Sequence, residues 1–177
     1  MESSDPISPD EILIRRVPPN GKNSDSIRRD ENGIERPTSG CMQTRKNKIT
    51  QEVETSLSCS RLKYTSPQQL LDQLRHQDTP IDPKGWGVCV FRASDVAAIE
   101  DGLNGRLSVR HEPTSLDPGH SGIYGNNGQP CPRTKGAAHR LSRIARMLSE
   151  GEVTRLRAGD NVDLSRVSIT ASKDEEF

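Results

Sequence analysis

The sequence predicts a small α+β protein: a mixed or antiparallel sheet with two or three helices, an irregular N-terminal arm and a C-terminal tail. Three observations carry this. Runs with strand character alternate with short helical stripes through residues 51–157. The pair Asn104-Gly105 is a strong hairpin signal, and it implies antiparallel pairing. The order of residues 52–92 taken alone also suits a parallel βαβ unit, so α/β is the alternative class. Finally, only 30% of the 177 residues are apolar and 3% aromatic, enough for one modest core.

Residues 1–50 read as the irregular arm. Within it, Ile12-Leu13-Ile14-Arg15-Arg16-Val17 is a short β-like run, stopped by Pro18-Pro19 and Asn20-Gly21. Residues 20–50 carry many charges and breakers, which predicts a long loop. Alternation of Val53, Thr55, Leu57 and Cys59 then predicts a strand with one buried face.

A helix follows from Ser66. That serine suits the N-cap, Pro67 the first turn, and Gln69 completes a capping box. Leu70, Leu71 and Leu74 form its apolar stripe, and it should fade near His76, before Pro80 and Pro83. Gly85-Trp86-Gly87-Val88-Cys89-Val90-Phe91 reads as a buried strand. Ser94 can cap a second helix with Val96, Ala97 and Ile99 inward. Asp101-Gly102 and Asn104-Gly105 are turn pairs, and Leu107 and Val109 lead a strand into His111.

Residues 112–133 are rich in Pro and Gly and read as loop, with a brief extended piece at Gly122-Ile123-Tyr124-Gly125. Residues 134–150 give the strongest helix. Thr134 caps it, Gly151 ends it, and Ala137, Ala138, Leu141, Ile144, Ala145 and Leu148 share one stripe. Val153, Leu156, Val162, Leu164, Val167 and Ile169 are too sparse for more than one or two edge strands. The compact unit therefore spans 51–157, and 158–177 is a tail.

Composition excludes some functions. Basic and acidic residues balance at 25 each, so global charge selects no polyanion. No apolar run approaches the roughly 18 residues that span a bilayer, so no membrane role is expected. The acidic start lacks a basic n-region and an apolar h-region, which places the chain in the cytoplasm. Cys41, Cys59, Cys89 and Cys131 form no CxxC, so free thiols are expected and neither a metal nor a cofactor. No P-loop, dinucleotide glycine pattern or G-x-S-x-G elbow occurs.

Two segments could carry chemistry. The stretch HEPTSLDPGHSGIYG packs His111, Glu112, Asp117, His120 and Tyr124 into fifteen residues. An imidazole held by a carboxylate can do general acid–base work. The same residues also suit a built turn, in which Asp117 bonds its own backbone. The second segment is the polar face of the 134–150 helix, where His139, Arg140, Arg143 and Arg146 oppose the apolar stripe and could meet phosphates. Without interleaved aromatics, that face equally suits a solvated helix surface. Trp86 and Tyr124 are the aromatic candidates for a binding surface.

The 111–125 segment resembles a family of short bacterial proteins of undetermined activity with the pattern D-P-L-P-x-N-P-A-H-A-x-[IV]-x-G. Glu112-Pro113 stands for its Asp-Pro, and Asp117-Pro118-Gly119-His120 for Asn-Pro-Ala-His, with Ile123 and Gly125 matching the last fixed positions. Ile14-Arg15-Arg16-Val17-Pro18-Pro19, Asp30-Glu31-Asn32-Gly33, Arg36-Pro37-Thr38-Ser39, Thr65-Ser66-Pro67 and Gly85-Trp86-Gly87 are similar as well. The resemblance spans residues 12–125 and departs at Glu112, Ser115 and Gly119. It implies a bacterial origin and singles out His120, but implies no activity.

The leading expectation is a non-enzymatic interaction or accessory module with a protein partner. One alternative is a nucleic-acid-binding module using Arg140, Arg143 and Arg146. Another is a small hydrolase or transferase that uses His120, with Glu112 or Asp117 orienting it.

Overall fold

In the computed structural model, residues 5–21, 25–100 and 105–164 are described. Eight strands and four α-helices occur among them. In chain order they are β1 (Ile12–Val17), β2 (Ile27–Arg29), β3 (Glu35–Pro37), β4 (Leu57–Arg61), α1 (Pro67–Asp72), β5 (Gly87–Arg92), α2 (Ala93–Ala97), β6 (Ser108–His111), β7 (His120–Tyr124), α3 (Lys135–Ile144), β8 (Arg146–Met147) and α4 (Glu150–Arg155). Six strands form one antiparallel sheet in the order β6-β7-β4-β1-β5-β8, and β2 and β3 form a separate hairpin. The class is α+β, as expected. The βαβ-like stretch is real but split. β4 and β5 run the same way, and β1 lies between them, antiparallel to both.

The central position of β1 corrects the expected boundary at residue 50. All six of its residues pair with β5, from Ile12 opposite Arg92 to Val17 opposite Gly87. Its side chains alternate between two apolar clusters. Leu13 and Val17 join Phe91, Leu57, Ile123, Leu141 and Ile144 on one face. Ile12 and Ile14 join Val88, Val90, Leu70, Leu74 and Val153 on the other. The sheet is therefore covered on both sides. A strand buried on both faces reads as a continuous apolar run, which is what Ile12-Leu13-Ile14 and Val88-Cys89-Val90-Phe91 are.

Residues 20–50 are also more ordered than their composition predicts. The Asp30 carboxylate accepts the backbone N–H groups of Asn32 and Ile34, at 2.8 and 2.9 Å, and so builds the β2–β3 turn. Arg36 fixes the hairpin to the core. Its Nε pairs with Asp30 at 2.8 Å, and its Nη1 donates to the carbonyl of Ala145 at 3.0 Å, just past the end of α3.

The Ser66 capping box forms, with Pro67 in the first turn of α1, and a 3₁₀ turn carries the helix on to His76. Two helix expectations need correction. Ser94 lies inside α2, whose N-cap is Arg92, and Ala97 is exposed. The 134–150 helix is capped by Thr134 but stops at Ile144. Ala145 is extended, Arg146–Met147 pairs with β5, and Ser149 caps α4, within which Gly151 lies. The apolar stripe continues past Ile144 because Met147 and Leu148 face opposite clusters as strand-like residues, a pattern that 3.6-residue spacing imitates over four positions.

Val162 and Leu164 are buried in the second cluster, so the tail expected from 158 contributes to the core at least to residue 164. Val167 and Ile169 lie outside the described residues, as do Asp101, Gly102 and Asn104. Around that gap, Glu100 bridges Arg106 in an antiparallel sense, and Leu107 N–H donates to the Ile99 carbonyl. The segment thus joins the end of α2 to β6. None of the described helices is long and apolar enough to cross a membrane.

Candidate functional site

The segment His111–Tyr124 is divided by the sheet. In β6 and β7 successive side chains alternate faces, and His111 pairs with Ser121 while Ser60 pairs with His120. His111 consequently lies beside Tyr64, ring centres 5.8 Å apart, near buried Arg61. Its Nδ1 is buried without a hydrogen-bond partner among the described residues, and burial together with the Arg61 charge pushes its pKa down. His120 lies on the opposite face, among the residues of a pocket.

Asp117 does not orient His120. It is buried, and its carboxylate accepts the hydroxyls of Ser60 and Thr65, each at 2.5 Å, and the Gly119 N–H at 3.1 Å. Its role is the built turn. Gly119 is required there, because a Cβ would stand 2.7 Å from the Arg61 carbonyl and 2.6 Å from Thr65 Oγ1. The Glu112 carboxylate is likewise committed, accepting the Tyr124 hydroxyl at 2.7 Å. What orients His120 is the Glu112 main-chain carbonyl, 2.9 Å from Nδ1. With Nδ1–H donating there, Nε2 is the ring acceptor. Among the described residues no side-chain hydroxyl or thiol lies within hydrogen-bond distance of this ring.

The basic helix face also comes apart. His139 and Arg140 are exposed on α3, and Arg143 is half-buried near its end. Arg146 belongs to β8 and makes two 3.1 Å bonds to the Glu152 carboxylate. The four basic residues therefore do not form one helical stripe.

The site that sequence reasoning missed lies where β1 and β4 part. The two strands pair at Leu13–Arg61 and Ile14–Ser60, and the ladder then stops. Arg15 fills the opening. Its Nη1 donates to the Ser58 carbonyl at 2.6 Å and its Nε to the Cys41 carbonyl at 3.1 Å. A guanidinium thus takes the acceptor that the next rung of the ladder would have used. A pocket of about 300 Å³ opens at this gap. Its polar lining includes Arg15, Arg16, Arg45, Glu54, Ser58, Ser60, Asp117 and His120; its apolar lining includes Ile14, Leu70, Leu74, Ile81 and Trp86. Leu116, 59% exposed, also lines it.

The electrostatics of the arginines differ sharply. Arg61, 0% exposed, pairs with Glu11, and Arg36 pairs with Asp30. Arg15 and Arg16 have no carboxylate at ion-pair distance among the described residues. Arg16 Nη1 donates only to the Leu70 carbonyl near the end of α1, at 3.2 Å. Burial pulls both guanidinium groups below their ordinary pKa, and for Arg16 the neighbouring Arg15 charge adds to this. Two cations adjacent in the chain, half-buried and hydrogen-bonded to carbonyls, face a cavity that Glu54 and Asp117 also line. Such a site can accept an anion at little cost, because the charge it would neutralise is already desolvated.

Of the other sequence candidates, Trp86 lines this pocket and Tyr124 lies outside it, with the Arg110 guanidinium 5.2 Å from its ring centre. The four cysteines are free thiols. Among the described residues, no three His, Cys, Asp or Glu side chains gather as a metal site. The one sequence signal for the pocket was Arg15-Arg16 inside an apolar strand, where two charges would not be expected without a reason. No protein-family model, curated protein or solved structure matches this chain.

Proposed function

We propose that the protein is a non-enzymatic recognition module that holds an anionic group of a partner in the pocket between β1 and β4. One observation carries this reading: buried Arg36 and Arg61 have carboxylate partners, whereas half-buried Arg15 and Arg16 face the cavity with none at ion-pair distance among the described residues. Buried charges are ordinarily paired, and an unpaired pair lining a cavity is what an anion site looks like before its ligand arrives. Arg45 at the same pocket adds a third positive group.

The test is thermal unfolding with inorganic phosphate, sulfate and acetate. A ligand at about ten times its Kd stabilises by about 1.4 kcal/mol, which raises Tm by about 3–6 °C in a chain of this size. Arg16→Gln should lose that rise and Arg45→Gln should reduce it, while Arg140→Gln keeps it. No shift with any anion, or equal shifts in Arg16→Gln and wild type, would sink the proposal.

A further inference from the structure

We infer that the anion this pocket reads is a carboxylate carried on an apolar body the size of a single amino-acid residue. The inference rests on the recognition reading above and adds the ligand's chemical class. Four features of the pocket point to it together.

The first is size. About 300 Å³ lies at the small end of ligand pockets and suits one residue or one small acid. The second is the mixed character of the walls. Ile14, Leu70 and Leu74 belong to the apolar cluster under α1, and Ile81 and Trp86 pack against it. The guanidinium groups line the same space, and Arg16 Nη1 lies 3.2 Å from the Leu70 carbonyl, so charge and apolar wall adjoin there. A ligand that fills the space therefore meets both a guanidinium and an apolar surface.

The third feature is charge. Three guanidinium groups and two carboxylates, Glu54 and Asp117, line the pocket, leaving one positive charge in excess when the imidazole is neutral. A monoanion balances that charge. A phosphomonoester dianion would leave a negative charge uncompensated beside an apolar wall, which is costly. The fourth is donor geometry. Arg16 spends Nη1 on Leu70, and its Nε–Nη2 edge makes no hydrogen bond to any described residue. That edge presents two parallel N–H groups, the fork that grips a carboxylate with two bonds.

Two sources offer this chemistry: a free small acid, or the last residue of a partner peptide with its terminal carboxylate. Isothermal titration of the full chain with N-acetyl-phenylalanine and N-acetyl-phenylalanine amide tests the class. The acid should bind at least tenfold more tightly than the amide. Arg16→Gln should reduce the acid to the amide's level, and Arg45→Gln, which changes an exposed side chain, should weaken it severalfold. A tetrapeptide ending in phenylalanine, with a free or an amidated end, distinguishes the sources. Tighter binding of the free-ended peptide than of the acid assigns a partner terminus; binding of the acid alone assigns a free metabolite. Equal affinity for acid and amide overturns the inference. If inorganic phosphate stabilises the protein while the acid does not, the recognition reading stands and this inference falls. If no anion binds, both fall.

Discussion

Asp117→Ala should destabilise the protein strongly and should do so without reference to any ligand. Its carboxylate is buried and accepts from Ser60 Oγ and Thr65 Oγ1 at 2.5 Å and from the Gly119 N–H at 3.1 Å. Removing it does not orphan all three donors. The Gly119 N–H also reaches Thr65 Oγ1, at 3.1 Å, and keeps that partner. The two hydroxyls lose a charged acceptor inside the protein, each costing about 1–3 kcal/mol. The sum, about 4 kcal/mol, is a large share of the roughly 5–15 kcal/mol by which domains are stable. It should lower Tm by about 8–16 °C in a chain of this length. Asp117→Asn keeps one acceptor oxygen, and a rotating hydroxyl can accept from the new amide, so about half the loss is expected. Differential scanning calorimetry at neutral pH gives the order wild type, Asn, Ala. A Tm for Asp117→Ala within 2 °C of wild type would refute the reasoning. Abolished anion binding at unchanged Tm would instead return Asp117 to the chemistry of the pocket.

Two further outcomes follow from burial and pairing. Burial pushes the thiols of Cys59 and Cys89 up to about 12 and that of Cys131 up to about 11, so the thiolate is scarce at neutral pH. Half-buried Cys41 should therefore be the first and only thiol to react promptly with a disulfide reagent in the folded protein. All four should react in guanidinium, and prompt reaction of two or more in the native state would contradict the packing. Glu152 is held below its ordinary 4.5, first by the hydrogen bonds from Arg146 and then by the Ser149 backbone against the opposing effect of burial. A carboxyl depressed by folding stabilises above its unfolded pKa and loses that contribution as pH falls through the folded value. Urea midpoints should thus separate wild type from Glu152→Gln at pH 7 and converge well below pH 4. Parallel curves across that range would show that the Arg146–Glu152 pair contributes nothing.

Local signals survived the passage from sequence to structure, and non-local ones did not. Ser66-Pro67-Gln69 formed its capping box because every atom in that device lies within four residues. Thr134 caps α3 for the same reason. The strands at 12–17 and 87–92 were legible because they are buried on both faces and must be apolar throughout. Where the periodicity of 3.6 ran on into residues 145–148, sequence could not tell a helical stripe from a chain crossing between two cores. What decided it was the free edge of β5, which Arg146–Met147 pairs with.

The candidate site was legible only in fragments. His120 stands at the start of β7, just past the Asp117 turn, with its ring held by the Glu112 carbonyl. Its supposed carboxylate partners were assigned by nearness in sequence, and strand alternation sent His111 to the other face while Ser60, Thr65 and Tyr124 claimed Asp117 and Glu112. The chain by itself determined the class, the Ser66 and Thr134 caps, the apolar strands and the charge balance, because these depend on residue type and near neighbours. Only the tertiary structure decided that β1 is central, that its ladder with β4 opens after Ile14, and that Arg15 and Arg16 meet Arg45, His120 and Trp86 there. The physical reason is that a guanidinium finds its carboxylate, or fails to find one, in space. Nothing in the spacing of residues along a chain records which guanidinium will be left without a carboxylate.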